Sequence, residues 1–189
     1  MTLSMLWRVL FWGWFASEIL VGVATRTKRS SGPVRDRGSL LMLWLVISAA
    51  VTACEWISQA LPESMFGGTH WLKVVAAIMI VVGLGVRWTA IIALGKSFSS
   101  NVAIRESQKL YREGLYRFVR HPSYLGLLLV FVAIGLHSRN WIAFAVVLVP
   151  TTAAVLYRIH VEELALREAF GDEYAEYSRT TARLIPGVY

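Results

Sequence analysis

Charged residues make up only 16% of this 189-residue chain, against about 25% in a typical soluble domain. The deficit is local, because several long stretches carry almost no charge while 56% of all residues are hydrophobic. That pattern points to lipid, not a large aqueous core, as the surroundings. Cysteine is all but missing: Cys54 stands alone inside an apolar stretch, which excludes an intramolecular disulfide and a cysteine metal cluster. His70, His137 and His160 show no zinc-ligand spacing, so no metal site is expected. A complete dinucleotide fingerprint is missing as well. Gly83-Leu84-Gly85-Val86-Arg87-Trp88 opens like one but lacks the third glycine, and no strand precedes it. Small residues in such a place read as points of close helix packing. There is no internal repeat and no low-complexity tract.

What the chain does have is a series of apolar segments, at residues 3–24, 40–61, 71–94, 123–137 and 141–157. A spanning helix needs about 20 apolar residues. The first three segments meet that length. The last two are shorter and are separated only by Ser138, Arg139 and Asn140, so they read as a tight helical hairpin. The expected fold class is all-α: a polytopic membrane bundle of about five helices forming one domain over 1–189. Residues 1–94 supply three N-terminal membrane helices and 95–189 the half that carries the chemistry. Residues 165–177 have helical spacing and mixed charge and read as a cytoplasmic or interfacial helix that Gly171 interrupts.

The net charge of +7 fits nucleic acid, anionic lipid or topology signals, and position decides among them. Arg26, Lys28, Arg29, Arg35 and Arg37 fall in the first connection; Lys96, Arg105, Lys109, Arg112, Arg117 and Arg120 fall in the third. The second holds only Glu63 and the fourth only Arg139, while Arg158, Arg167, Arg179 and Arg183 follow the last segment. Alternate loops are therefore basic. By the positive-inside rule an odd number of spans with the N-terminus outside places every basic segment in the cytoplasm, and nucleic acid is not an expected partner. The first segment reads as a retained helix and not a signal peptide, since its basic cluster follows the apolar run.

Two cytoplasmic stretches hold nearly all the interesting polar residues. In the first, Arg120-His121-Pro122 lies where a charged loop meets an apolar segment. Pro122 suits the first turn of a helix, whose free N–H groups suit an anion such as a carboxylate. Arg120 and His121 add donors, Tyr124 an aromatic wall and Gly126 room for close approach. The plainer alternative is a positive flank with a helix-starting proline. In the second stretch, Arg158 and Glu162 are four apart and share a helical face. Arg158 suits an anionic substrate, and Glu162 suits sugar hydroxyls or an amine. The plainer alternative is an exposed ion pair worth about 0.3–0.5 kcal/mol, but polar groups at a membrane boundary often line a site. Glu18, Glu55 and Arg87 fall within apolar segments, where charge is costly, and either pair with each other or line a cavity. Lys73 reads as a side chain that snorkels, and most tryptophans as interfacial anchors or helix contacts.

The stretch Arg120-His121-Pro122-Ser123-Tyr124-Leu125-Gly126 resembles the signature of isoprenylcysteine carboxyl methyltransferases and their bacterial relatives. The likeness continues in Leu94-Gly95-Lys96-Ser97-Phe98 and Gly114-Leu115-Tyr116 upstream. Downstream it takes in Arg158, Glu162 and Glu163, then Phe170-Gly171-Asp172-Glu173-Tyr174, Tyr177 and Arg183-Leu184-Ile185-Pro186-Gly187. It covers roughly the second half of the chain. The resemblance implies a helix bundle with a cytoplasmic pocket for S-adenosylmethionine. By it, Gln108, Lys109, Leu110, Tyr111, Tyr116, His121, Pro122, Ser123, Tyr124 and Glu162 would contact that donor. Arg120 and Arg158 would face the substrate carboxylate. Relatives often carry histidine where Gln108 stands, and Gln can hydrogen-bond but not carry charge. The implied acceptor is a lipid or prenylated substrate entering from the bilayer, in a bacterial inner membrane or the endoplasmic reticulum.

The residue types suit that chemistry. A carboxylate is already ionised at neutral pH, so its methylation needs no general base; placement and exclusion of water would supply the rate. Three other readings stay open on the sequence. A phospholipid or small-lipid methyltransferase would need a base for an amine, for which Glu163 or His160 could serve. A sterol-type reductase using NADPH shares part of the pattern, but Leu127 and Glu173-Tyr174 stand where those enzymes tend to place an acid and a tryptophan. A non-enzymatic membrane scaffold would tolerate replacement of Arg120, His121 and Glu162.

Overall fold

The computed structural model of the chain describes residues 2–25, 38–62, 70–99 and 109–187. Five α-helices account for most of them: α1 (Leu3–Ala24), α2 (Ser39–Ala60), α3 (His70–Leu94), α4 (Pro122–Ser138) and α5 (Trp141–Thr180), with short 3₁₀ turns at Gly95–Ser97 and Gly114–Arg117. Four of them, α1, α2, α3 and α5, are long and apolar enough to cross a membrane. Among the described residues the only β pairing is an isolated parallel bridge between Val119 and Ala182. The all-α membrane bundle expected from the apolar segments is what the chain forms.

The helices begin and end where local chemistry dictates. Thr2 caps α1 by accepting the N–H of Met5. Asn140 caps α5 by accepting the N–H groups of Ile142 and Ala143 at 2.9 and 3.0 Å, and its own amide donates to the carbonyl of Leu61 at 2.7 Å. One fully buried side chain thus starts α5 and ties it to the end of α2. Arg139, at φ 55°, ends α4 in the left-handed conformation, which completes the tight hairpin read from the sequence.

One feature agrees with the sequence expectation in detail and a second differs. First, α4 is short, as its apolar segment is: it has 17 residues and is about 25 Å long, less than the roughly 30 Å hydrocarbon core. Second, residues 165–177 are not a separate helix. They continue α5, which runs for 40 residues, because no breaker intervenes between Tyr157 and Gly171. Gly171 adopts φ 51° and ψ −124°, outside helical geometry, and divides this run into two helical stretches across a kink, the interruption expected from the sequence. The apolar first half of α5 suits the bilayer, and its polar second half projects beyond it.

Packing sets where the site lies. α3 and α4 share the most extensive contact, α2 packs along α5, α4 along α5, and α1 leans on α3. The buried stripe of α3 runs through Leu72, Ala76, Ile80, Gly83, Arg87 and Ala90, a three-and-four spacing that turns one face inward. At the closest point a Cβ added to Gly126 would lie 2.5 Å from the carbonyl of Gly83 and 2.7 Å from the amide of Arg87. Backbone therefore touches backbone there, one turn into α4.

Candidate active site

The motif segment owes its shape to Pro122 and to the C-terminal tail. Pro122 takes the first position of α4 behind His121, where a missing N–H costs nothing. The N–H groups of Tyr124 and Leu125 both bond the carbonyl of His121 at 3.1 Å, so most of the anion cradle expected from this helix start is already occupied. The tail crosses the motif like a strap. The N–H of Arg120 donates to the carbonyl of Ala182 at 2.8 Å and that of His121 to Arg183 at 3.2 Å, while Leu184 inserts into the core.

Glu163 binds this strap together. Its carboxylate accepts from Arg120 Nη2 at 3.1 Å, His121 Nε2 at 3.3 Å and Arg183 at 3.1 Å. Burial alone would raise its pKa, but the His121 hydrogen bond and charge, with the charges of Arg120 and Arg183, outweigh this and hold it at about 2. The other nitrogens of Arg120 are engaged too: Nε with Glu163, and Nη1 with the carbonyls of Ser178 and Thr181. The guanidinium that the resemblance aims at a substrate carboxylate is thus used in holding the roof of the site.

Arg158 lies on the opposite wall, 1% exposed. It donates to the hydroxyl of Tyr124 on α4 at 3.3 Å and to that of Ser39 on α2. Glu162, on the same face one turn on, is part-exposed and approaches His121 Nδ1 at 4.0 Å. His121 therefore sits between two adjacent carboxylates, Glu162 on one ring nitrogen and Glu163 on the other. Burial raises the pKa of the Tyr116 phenol well above its usual value, so it remains a neutral donor, and it donates to the carbonyl of Ala90 at 3.3 Å. Tyr177, pushed up to about 12 by burial, donates to the carbonyl of Tyr116.

Two cavities meet at these residues. One is lined by Val21 and Gly22 of α1, Leu40, Leu43, Trp44 and Ile47 of α2, and Arg87, Ser123, Tyr124, Leu127 and Arg158 deeper in. The other is lined by Lys109, Leu110, Tyr111, Phe170, Tyr174 and Tyr177, largely aromatic and opening beside the polar half of α5. Leu94, Tyr116, Arg120, His121 and Glu162 line both. A chamber walled largely by aliphatic side chains and one walled largely by aromatic ones thus share Tyr116, Arg120, His121 and Glu162.

Of the residues singled out from the sequence, Lys109, Leu110, Tyr111, Tyr116, His121 and Glu162 line the aromatic cavity, and Ser123, Tyr124, Arg120 and Arg158 the apolar one. Pro122 is buried behind them. Gln108 lies outside the described residues. The sequence reading missed the hub role of Glu163 and Arg183. It also missed Ser39 as a partner of Arg158 and left Glu18 and Arg87 without a settled role. Glu18 and Arg87 do pair, whereas Glu55 accepts from Gln59 at 2.7 Å on the outer face of α2. The adjacent Glu162-Glu163 doublet was the one local signal for the hub.

Known proteins resemble this chain in sequence and in fold. Residues 75–168 match the isoprenylcysteine carboxyl methyltransferase (ICMT) family. Protein-S-isoprenylcysteine O-methyltransferase B of Arabidopsis thaliana is 39% identical over 177 residues, which cover 91% of this chain and 87% of that protein. Methanethiol S-methyltransferase 1 of Bradyrhizobium diazoefficiens is 42% identical over 72 residues, 38% of this chain and 24% of that one. The solved structure of the eukaryotic intramembrane Ras methyltransferase ICMT superposes with a TM-score of 0.64 at 23% identity. The match covers 76% of this chain and spans about half, 52%, of that one, and it speaks for the fold.

Proposed function

The chain belongs to the isoprenylcysteine carboxyl methyltransferase family, and from that premise we propose that it transfers a methyl group from S-adenosylmethionine to the carboxylate of an isoprenylcysteine-type lipid at the cytoplasmic end of the bundle. The observation that carries this reading is the pair of cavities meeting on Tyr116, His121 and Glu162. One suits a greasy acceptor and the other a polar donor.

The aromatic cavity fits the donor by its chemistry. S-adenosylmethionine supplies, when bound, a methyl group on a positively charged sulfur that an oxygen anion can displace in line. Rings of Tyr111, Tyr116, Phe170, Tyr174 and Tyr177 offer stacking surface for a purine and faces that favour a cation. Glu162 offers a carboxylate to hydroxyls or an ammonium group, and Lys109 a cation at the mouth. Tyr116, kept protonated, donates and never competes as a nucleophile.

The apolar cavity fits the acceptor. α1 packs on α3 and α2 on α5, and residues of both α1 and α2 line this chamber, so an acceptor chain entering from the bilayer would pass between them. An isoprenoid chain lies there while Arg158, already oriented by Ser39 and Tyr124, holds the carboxylate and turns one oxygen toward the donor. Arg120 borders the same head group but acts chiefly by fixing His121 through Glu163. Proximity in a dry site contributes up to roughly 7–11 kcal/mol in such reactions. No base is needed, and the two that the sequence offered are poorly suited: Glu163, held at about 2 beside two guanidinium groups and the His121 imidazole, does not take a proton near neutral pH, and His160 is exposed. This weakens the amine-methylating alternative. Val21, Gly22, Leu40, Leu94 and His121, which line the cavities, belong to the helix ends that flank in sequence the two basic connections, which supports a cytoplasmic site.

A thiol as acceptor, as in the name of the Bradyrhizobium relative, rests on a match confined to 72 residues and leaves the apolar chamber without a purpose. The test is a titration of detergent-purified protein with S-adenosylmethionine, with NADPH as control, followed by methyl transfer to N-acetyl-S-farnesylcysteine. Donor binding in the micromolar range, lost in His121→Ala and Glu162→Ala, with methyl ester formed, is the expected result. Binding of NADPH instead, or no donor binding, overturns it.

A further inference from the structure

Resting on that reading, we propose that the buried Glu18–Arg87 pair is a positioning device for the transfer reaction, acting through the carbonyl of Ser123 on the first turn of α4. Both charges lie within apolar spans, 3% and 7% exposed, where an ionised side chain is expensive and is kept for a purpose. Arg87 forms a two-pronged bond with Glu18, Nε to Oε1 and Nη2 to Oε2, the latter at 2.6 Å. Its third nitrogen, Nη1, donates to the carbonyl of Ser123 at 3.1 Å.

That third bond reaches the site. Ser123 is two residues past His121 and one before Tyr124, and all three line the apolar cavity together with Glu18 and Arg87 themselves. The backbone of Arg87 is already pressed against α4, since a Cβ on Gly126 would come within 2.7 Å of the Arg87 amide. Side chain and backbone of one residue therefore hold α4 at two successive levels, Gly126 and Ser123. This sets the height and rotation at which His121 and Tyr124 face the two cavities. Glu18 neutralises the guanidinium and clamps its plane, so that Nη1 has one direction left to point. A pair whose only task was to dock α1 on α3 would need neither the third bond nor a place in the cavity wall.

An exchange of the two residues separates these roles. In Glu18→Arg/Arg87→Glu the ion pair is retained, but a carboxylate at position 87 cannot donate to a carbonyl. The expected result, in detergent-purified protein methylating N-acetyl-S-farnesylcysteine, is a thermal midpoint close to wild type, S-adenosylmethionine affinity within about threefold, and kcat lowered at least tenfold with the acceptor KM within about threefold. A displacement near 1 Å costs on the order of a hundredfold in rate. Recovery of wild-type kcat by the exchange overturns the proposal, since the pair then only packs helices. Should the exchanged protein fail to fold, Arg87→Lys keeps a cation for Glu18 but lacks the fork. The same fall in kcat without loss of donor binding supports the proposal, and unchanged kcat overturns it. Absence of methyl transfer by the wild-type protein would instead refute the methyltransferase reading, a different outcome from any of these.

Discussion

Gly83 and Gly85 lie two residues apart on α3, and replacing each with alanine has opposite expected consequences. A Cβ on Gly83 would sit 2.7 Å from the carbonyl oxygen of Gly126 and 3.1 Å from side-chain atoms of Leu129 and Val130, whereas one on Gly85 meets nothing within 4 Å. Both substitutions gain about the same helix propensity, near 1 kcal/mol, so that contribution cancels in the comparison. The obstacle at Gly83 is backbone and cannot rotate aside. Restoring ordinary contact requires α3 and α4 to separate by about 0.7 Å at that level, and overpacking of this kind costs about 1–3 kcal/mol. The same separation carries the Arg87–Ser123 bond from 3.1 Å to about 3.8 Å, past hydrogen-bonding range.

Gly83→Ala is therefore expected to lower the thermal midpoint in detergent, at roughly 2–4 °C per kcal/mol for a chain of this size. It should also reduce kcat about ten- to a hundredfold. Gly85→Ala should match or exceed wild type in stability and keep kcat within about twofold. Differential scanning fluorimetry, together with transfer of a tritiated methyl group to N-acetyl-S-farnesylcysteine well below the midpoint, reads both quantities. Equal midpoints for the two variants would refute the close contact of α3 and α4. A destabilised Gly83→Ala with wild-type kcat would leave the contact standing but sever it from the geometry of the site.

Three further outcomes follow from individual side chains. Arg158→Ala should abolish transfer to a carboxylate acceptor while S-adenosylmethionine affinity stays within a few fold; equal loss of both in a folded protein would remove Arg158 from the acceptor side. Glu162→Ala should weaken donor binding in calorimetry, and an unchanged affinity would take Glu162 out of the donor cavity. The strap should be acid-labile: Glu163 is held at about 2 against an ordinary 4.5, so its contribution is fully present above about pH 4.5 and is lost as pH falls toward 2. Hydrogen exchange at the Arg120 and His121 amides, which bond the tail carbonyls, should lose protection over that window after correction for intrinsic rates. Protection that persists unchanged to pH 2 would contradict the hub role of Glu163.

The parts of this fold legible in the sequence are those in which lipid imposes a length and a polarity on the chain. Residues 3–24, 40–61 and 71–94 read as spans because each is a run of about the bilayer's thickness, and α1, α2 and α3 follow them within a residue or so at each end. The hairpin of α4 and α5 was legible from Ser138-Arg139-Asn140. The continuation of α5 past Tyr157 as far as Gly171 was not, because a change from apolar to polar residues marks a change of solvent, not the end of a helix. At Gly171 the glycine signal held: its positive φ and non-helical ψ interrupt the helix there.

The site divides along a similar line. His121, Tyr116 and Glu162 were found because a motif at fixed spacing carries them, and their convergence follows from the packing of α4 against α5. What the sequence could not rank was the arginines. Arg120 and Arg158 are the same residue type at the same membrane boundary, and only their surroundings separate them. Arg120 meets a buried carboxylate and two carbonyls, while Arg158 donates to hydroxyls beside an apolar chamber. A guanidinium whose nitrogens are all engaged by a carboxylate and carbonyls has little to offer a second carboxylate, whereas one that borders the chamber beside Tyr124 is placed to meet an incoming head group. Glu18 and Arg87, 69 residues apart in the chain, were legible as costly charges but not as a pair directed at Ser123. That direction depends on α1 leaning against α3 at one particular rotation, which no local pattern in either helix encodes.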